Sequence, residues 1–159
     1  MKIEFELNGE PVSAEVTPDL MLLHLLREGF GLTGTKNGCE SGDCGTCGVL
    51  LNGKLTKSCL LPAEKVAGKQ VVTIEGLALP GGEPNDLQQA FLRHGAVQCG
   101  YCIPAMVLAG EALLRRNGSP NRQEIRKGIS PVLCRCTGYQ QIVDAIEETA
   151  ELRRKKIIG

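Results

Sequence analysis

Eight cysteines are the residues of this 159-residue chain that are best suited to chemistry, and they fall into two sets of four. The first set has the spacing C-x4-C-x2-C-x11-C and consists of Cys39, Cys44, Cys47 and Cys59. Thiolates with this spacing are typical of a plant-type 2Fe-2S site. Structural zinc usually pairs two short C-x2-C clips, whereas here three cysteines share one loop and the fourth falls on a predicted strand. The spacing therefore predicts a 2Fe-2S centre and disfavours zinc.

The loop that carries this first set is rich in glycine. Within residues 34–48 it contains Gly34, Gly38, Gly42, Gly45 and Gly48. An iron-sulfur cluster is anionic, and backbone N–H groups directed at its sulfur atoms stabilise it. Because glycine reaches positive φ without strain at Cβ and lets the chain approach closely, we expect these residues to wrap the loop around a cluster.

The second set is less specific by spacing alone. It is a C-x2-C clip followed, after thirty-one intervening residues, by a C-x-C clip, and it consists of Cys99, Cys102, Cys134 and Cys136. Zinc would fit two such clips almost as well as a cluster would, while a thioredoxin-type redox pair would need a βαβ context that is lacking. Each clip precedes a predicted helix, where free N–H groups and the helix dipole favour an anion. The residues alone favour a cluster and leave zinc open.

The charge balance and the absence of targeting signals limit the partners and the cellular location that the sequence predicts. Eighteen Lys and Arg balance eighteen Asp and Glu, so no basic surface points to nucleic acid or to an anionic membrane as a partner. The first seven residues alternate charged and apolar types, unlike a secretory signal, and no segment approaches the roughly 18 to 20 apolar residues of a membrane span. These features predict a cytoplasmic protein, whose reducing surroundings disfavour disulfides.

The first half of the chain is predicted to be mostly strands. Asn8-Gly9 and Asn52-Gly53 suit tight hairpin turns because both positions tolerate positive φ. Asp19 is expected to cap a helix that ends near Gly29. The predicted strands are residues 3–7, 12–16, 49–51, 54–60 and 70–74.

The second half has a helical period. Two prolines and several glycines interrupt the pattern around residues 77–84, which we take as a linker between a unit at 1–76 and a unit at 85–159. Four helices are predicted there, with start signals at Asn85 or Asp86, at Pro104, at Asn121 with Glu124, and at Thr137 with Gln140. The last of them is expected to bury Ile142, Val143, Ile146 and Leu152. The fold class is therefore α+β.

Three motifs in this order carry a resemblance to a known family. They read GLTGTKNGCESGDCGTCGV, QCGYCIPAM and LCRCTGYQQIVDAI, and they contain all eight cysteines. The chain resembles, from its first strand to its last helix, the small iron-sulfur subunit of the molybdenum hydroxylases, the xanthine dehydrogenase and aldehyde oxidase family. The resemblance implies an N-terminal β-grasp plant-type ferredoxin domain and a C-terminal four-helix bundle, with one 2Fe-2S cluster in each.

The resemblance also implies partners and roles. The cluster on Cys99, Cys102, Cys134 and Cys136 would lie close to the molybdopterin cofactor of a large partner subunit, and Gln98 would hydrogen-bond the pterin. The other cluster would lie farther out and face FAD in a medium subunit or domain. Electrons would pass singly between molybdenum and flavin. This chain would hold no substrate site, and it lacks the glycine-rich motifs with which a chain binds flavin or nucleotide by itself.

Two other functions stay open at this point. A free-standing two-cluster ferredoxin would shuttle electrons among partners, and such carriers often have an acidic face for transient docking. The neutral charge of this chain fits a permanent subunit better. A zinc-stabilised interaction module without redox activity is the other alternative.

Overall fold

The computed structural model describes residues 1–158, with side chains described through Lys156. Gly159, the last residue of the predicted helical unit, lies outside this range. The first half of the chain forms a five-stranded mixed sheet, and the second half forms helices. Among the helices of the described residues, none has the length and apolar character that crossing a membrane requires.

The sheet has the strand order β2-β1-β5-β3-β4, in which β1 and β5 are parallel and the other pairs are antiparallel. Its strands are β1 (Lys2–Leu7), β2 (Glu10–Glu15), β3 (Gly48–Leu51), β4 (Lys54–Lys57) and β5 (Gln70–Val72). The two predicted hairpin turns are confirmed, since Asn8 and Gly9 have φ of 52° and 85°, and Asn52 and Gly53 have φ of 48° and 83°. These turns fix the register of both hairpins.

Five helices accompany the sheet. They are α1 (Leu22–His24), which continues into a π-helical turn at Leu25–Gly29, then α2 (Asp86–Arg93), α3 (Ile103–Arg116), α4 (Arg122–Ile129) and α5 (Gln140–Ile158). Short 3-10 turns at Ile74–Leu77 and Pro80–Gly82 connect β5 to α2. Asn85 and Asn121 cap α2 and α4 in complete capping boxes. The capping box of Asn121 with Glu124 is predicted by its spacing, and of the two caps predicted for α2 the structure has Asn85.

The α1 segment covers one face of the sheet, and the helical half covers the other face at β3 and β4. One face buries Phe5 and Val49 against Leu22 and Leu26 of the α1 segment. On the other face, Leu50 joins the core formed by the helices, and α3 packs against β3 and β4. The helical half is therefore anchored directly on the sheet that positions the first set of cysteines.

Several local predictions are wrong. The helix after β2 begins at Leu22 behind Met21, without a side-chain cap, so Asp19 does not cap it. The strand predicted for 54–60 ends at Lys57, which leaves Cys59 in the following turn. Helix α5 begins at Gln140, and Leu152 is 38% exposed, so it does not share the buried face of Ile142, Val143 and Ile146.

Candidate metal centres

The first set of cysteines lies between the loop that precedes β3 and the turn that follows β4. The backbone N–H groups of Ser41 and Cys44 both donate to Cys39 Sγ at 3.4 Å. Cys59 and Cys47 belong to one buried cluster, together with Leu23. Cys39 is exposed, Cys44 is half-buried, and Cys47 and Cys59 are buried. The structure thus gathers these four residues into a site that opens to solvent on one side.

The electrostatics of this site differ between its outer and inner thiols. The backbone N–H of Cys44, followed by donors from Ser41, lowers the pKa of Cys39 to about 6. Burial, with the nearby thiol of Cys47, raises the pKa of Cys59 to about 11. The outer cysteine is therefore biased towards thiolate by the protein itself. The inner one needs a bound cation to become a thiolate, since metal coordination deprotonates a thiol.

Two small residues complete the first site. Thr46 Oγ1 lies 3.1 Å from Cys44 Sγ. Gly38 leaves the space that both groups occupy, because a Cβ at this position would lie 2.7 Å from Cys44 Sγ and 2.6 Å from Thr46 Oγ1. Of the five loop glycines, Gly42 and Gly45 have positive φ.

The second set of cysteines is built by α3 and by the loop before α5. Cys102 is the N-cap residue of α3 and is buried, whereas Cys99 and Cys136 are exposed and Cys134 is half-buried. Burial, with a hydrogen bond to Cys134, raises the pKa of Cys102 to about 12. Cys99 lies close enough to contribute to the same shift. The start of α3 at Cys102 agrees with the predicted position of the first clip, with Pro104 in the first turn.

Cys134 is surrounded by hydrogen-bond donors from the residues that follow it. The Thr137 N–H donates to Cys134 Sγ at 3.4 Å, and Thr137 Oγ1 lies 3.2 Å from the same sulfur. Burial alone would raise the pKa of the Cys134 thiol. The hydrogen bonds from these donors outweigh burial, so the pKa of Cys134 lies below its ordinary value. The spacing of Thr137 and Gln140 predicts a capping box, but α5 begins at Gln140, so Thr137 lies three residues before the helix and does not cap it.

The two sites meet through the backbone. The N–H of Leu133, the residue before Cys134, donates to the carbonyl oxygen of Cys44 at 2.8 Å. Gly45 permits this approach, since a Cβ there would lie 2.0 Å from the carbonyl oxygen of Pro131. A second link is the hydroxyl of Tyr101, which donates to the carbonyl oxygen of Asn37. One hydrogen bond thus joins a backbone segment of the first site to one of the second.

The donor set fits 2Fe-2S clusters. Within the described part of the chain, no three His, Cys, Asp or Glu side chains are grouped so as to surround a single ion. Cys47 and Cys59 share one buried cluster, and Cys134 packs against the helical core that contains Cys102. A 2Fe-2S cluster would take four thiolates from each set, and N–H and O–H groups directed at sulfur stabilise its negative charge. Both sites offer such donors.

The predicted pterin contact, Gln98, lies next to the second set of cysteines. Gln98 is exposed on the loop after α2, directly beside the exposed Cys99. The functional environment missed by sequence reasoning comprises Thr46, Thr137, Tyr139 and Leu133. The two threonines could have been found from the sequence, since each follows the cysteine that it contacts by two or three positions. The contact of Leu133 left no signal in the sequence.

Two family models together cover nearly the whole chain. Residues 5–77 match a 2Fe-2S iron-sulfur cluster binding domain, and residues 73–147 match a 2Fe-2S binding domain. The fold and the two thiol sets thus define a protein with two 2Fe-2S binding domains, the first of ferredoxin type.

The relatives place the chain within a narrower group. It is 46% identical to the nicotinate dehydrogenase small FeS subunit of Eubacterium barkeri, over 94% of each chain. It is 44% identical to the xanthine dehydrogenase iron-sulfur-binding subunit of Escherichia coli, over 91% of each. The crystal structure of quinoline 2-oxidoreductase from Pseudomonas putida 86 superposes with a TM-score of 0.92 at 44% identity, over 98% of this chain and 96% of that one. The chain belongs to the family of small iron-sulfur subunits of the molybdenum hydroxylases.

The same fold also occurs as part of a longer polypeptide. The aldehyde oxidoreductase of Desulfovibrio desulfuricans matches 98% of this chain with a TM-score of 0.93 and 36% identity, but only 17% of that protein is covered. The family resemblance indicated by the three cysteine motifs is confirmed.

Proposed function

We propose that this chain transfers single electrons between a molybdopterin centre and a flavin through two 2Fe-2S clusters. Cys39, Cys44, Cys47 and Cys59 would hold the distal cluster. Cys99, Cys102, Cys134 and Cys136 would hold the cluster proximal to molybdopterin. The observation that carries the proposal is the Leu133 N–H to Cys44 carbonyl hydrogen bond of 2.8 Å, which joins the two sets of ligands.

The chain's own residues would provide binding and electrostatics. When bound, each cluster supplies reversible one-electron redox chemistry. Cys47, Cys59 and Cys102 would hold its buried side away from water. The N–H groups of Ser41 and Cys44 are already directed at Cys39, so little rearrangement would accompany a change in charge. No proton transfer by this chain is required.

Gln98 is proposed as the pterin contact. A neutral amide offers two donors and an acceptor, which suits the edge of a pterin. Gln98 and Cys99 are exposed, and around them Val97, Tyr101 and Leu133 expose 36%, 40% and 53% of their surface. Exposed apolar side chains beside exposed ligands support the docking of a large molybdopterin-binding subunit on this face.

A second face is proposed for the flavin partner. The loop that carries the exposed Cys39 is accompanied by Leu60, which is 56% exposed. We propose that a FAD-binding medium subunit or domain docks there. The relatives named as small subunits match this chain over more than nine tenths of both lengths, which supports a permanent subunit over a free-standing carrier.

We further propose that residues 1–76 form a β-grasp ferredoxin domain, that 77–84 link it to the second domain, and that 85–159 form a four-helix bundle. Packing of α2 and α4 against α5, and of α3 against α4, supports the bundle within the described residues. A cytoplasmic location is proposed because a reducing compartment keeps cysteines out of disulfides and available for cluster assembly.

The ligand assignment is tested by substitution of one cysteine in each set. The complex is purified anaerobically from its host with Cys39→Ser or Cys99→Ser, and EPR spectra of the reduced protein are recorded with iron analysis. We expect Cys39→Ser to remove one EPR signal and Cys99→Ser to remove the other. A colourless native protein, or loss of both signals in either variant, would contradict two independent clusters.

The role of Gln98 is tested by Gln98→Ala, with Gln123→Ala on the exposed face of α4 as the control. We expect Gln98→Ala to slow the reduction of the proximal cluster by substrate in stopped-flow experiments while both EPR signals remain. Equal rates for the two variants would refute the pterin contact.

A further inference from the structure

A closed ring of hydrogen bonds surrounds Cys134. The Cys134 N–H donates to Tyr139 Oη at 2.9 Å, and the Tyr139 N–H donates to Thr137 Oγ1 at 3.2 Å. Thr137 Oγ1 in turn lies 3.2 Å from Cys134 Sγ, and the Thr137 N–H donates to this sulfur at 3.4 Å. Three residues within one six-residue loop thus orient one another around a single sulfur atom.

The ring determines where the hydroxyl proton of Thr137 points. A cysteine thiolate that binds iron carries no proton, so Cys134 Sγ can only accept a hydrogen bond. The Thr137 oxygen already accepts the Tyr139 N–H, which occupies one of its lone pairs. Its single proton is therefore left to donate, and the sulfur of Cys134 is the acceptor within reach.

The loop around Cys134 has an unusual backbone conformation at Gly138 and Tyr139. Gly138 and Tyr139 have φ of 67° and 75°, two consecutive residues in the left-handed region. A tyrosine rarely adopts this conformation, and it persists only where surrounding contacts hold it. Here both the N–H and the phenol oxygen of Tyr139 are tied into the ring. The strain is thus associated with a fixed hydroxyl orientation at Cys134.

We propose that Thr137, oriented by Tyr139, donates its hydroxyl proton to the Cys134 thiolate and thereby raises the reduction potential of the proximal cluster. The inference rests on the proposed function, because it takes Cys134 as an iron ligand. Reduction adds one electron, converts one ferric ion to ferrous, and breaks no bond, and the proton stays on Thr137. A donor at the sulfur stabilises the more negative reduced form more than the oxidised form. Thr137 and Tyr139 are therefore positioning residues.

The distal site contains a comparable hydroxyl that serves as an internal control. Thr46 Oγ1 lies 3.1 Å from Cys44 Sγ, and Thr46 is buried. The two threonines belong to different loops and contact different cysteines. Removal of either hydroxyl should therefore affect the potential of one centre and leave that of the other unchanged.

The test is a redox titration of the intact complex, followed by the separate EPR signals of the two centres. In Thr137→Val we expect the reduced-to-oxidised ratio of the proximal cluster, at the wild-type midpoint potential, to fall about threefold to tenfold. This equals roughly 30 to 60 mV at 59 mV per tenfold change for one electron. Thr137→Ser should match the wild type, and Thr46→Val should lower only the distal potential.

Tyr139→Phe tests whether the Thr137 hydroxyl or the geometry of the loop sets the potential of the proximal cluster. It removes the phenol oxygen but keeps the backbone N–H that orients Thr137. We expect a shift well below that of Thr137→Val. An equal shift would mean that loop geometry sets the potential, and the inference would be wrong.

The remaining outcomes distinguish this inference from the proposed function. An unchanged potential in Thr137→Val with intact clusters overturns the role of Thr137, whereas an unchanged proximal signal in Cys134→Ser overturns the ligand assignment itself. If neither Thr137→Val nor Thr137→Ala assembles the proximal cluster while Thr137→Ser does, the hydroxyl serves assembly and not potential, which also refutes the inference.

Discussion

Substitution of Gly45 by alanine tests the junction between the two centres. The added Cβ would lie 2.0 Å from the carbonyl oxygen of Pro131 and 3.0 Å from Val132 Cα. These neighbours are backbone atoms, so the segment that leads to Leu133 has to move by about 1 Å to restore an ordinary van der Waals contact. A shift of this size breaks the 2.8 Å hydrogen bond from Leu133 N–H to the Cys44 carbonyl.

The size of the effect is obtained by comparison with Gly53→Ala. Gly45 and Gly53 have φ of 72° and 83°, but a Cβ at Gly53 meets nothing within 4 Å. The left-handed backbone alone costs about 1 kcal/mol with a non-glycine residue. Gly45→Ala adds about 1 kcal/mol for the lost hydrogen bond and roughly 1 kcal/mol for displaced packing. At about 3 °C per kcal/mol, we expect Tm to fall by about 3 °C in Gly53→Ala and about 9 °C in Gly45→Ala.

The assay combines thermal unfolding with EPR of the fully reduced complex. Two nearby paramagnetic clusters broaden or split each other's signals, and this interaction should weaken in Gly45→Ala and persist in Gly53→Ala. Cluster content is checked by iron analysis in both variants. Equal melting temperatures in the two variants, together with an unchanged magnetic interaction in Gly45→Ala, would refute the junction described here.

Three further substitutions probe the helical core and the distal site. Arg153→Met should lower the free energy of unfolding in urea by about 2 to 3 kcal/mol, because Arg153 pairs with Asp86 at 2.7 Å and with the buried Glu111 at 2.9 Å. Lys155 is an exposed cation on the same helix, and the control Lys155→Met should lower it by under about 0.5 kcal/mol. The hydrogen bond from Arg153 holds the pKa of Asp86 below the ordinary 3.8, so its stabilisation is present above that pH and is lost as pH falls through the folded-state value. Asp86→Asn should therefore be less stable at pH 7 and lose less stability on acidification, as followed by circular dichroism. Gly38→Ala, whose Cβ would lie 2.7 Å from Cys44 Sγ, should reduce the distal EPR signal and spare the proximal one.

Local structure was predictable from the sequence where a few neighbouring residues determine it. The Asn8-Gly9 turn and the capping box of Asn121 with Glu124 each satisfy their backbone groups within four residues, and the structure contains both. Thr137 has the same capping-box spacing, yet its hydroxyl contacts the Cys134 sulfur. The pattern fails here because α5 begins only at Gln140, so Thr137 lies three residues before the helix and not at its N-cap position.

The junction between the centres could not be predicted from the sequence. The Leu133 N–H to Cys44 carbonyl hydrogen bond joins residues 89 positions apart and uses backbone atoms that every residue possesses. The close approach of Gly45 to Pro131 likewise depends on how α3 packs against the sheet. The cysteine spacing indicated that there are two centres, whereas their connection follows from tertiary packing alone.

Both sites direct hydrogen-bond donors at cysteine sulfur atoms, but they hold these donors in place with different backbone segments. At the distal site, donors come from Ser41, Cys44 and Thr46, and the preceding loop is held by Arg27, whose guanidinium donates to two backbone carbonyls at 2.9 and 2.8 Å. At the proximal site, one short loop supplies both the donors and the contacts that hold them. An electron carrier changes charge without moving its ligands when the compensating dipoles are already in place. Because each site fixes its own dipoles, the potentials of the two centres can differ although they share one backbone junction.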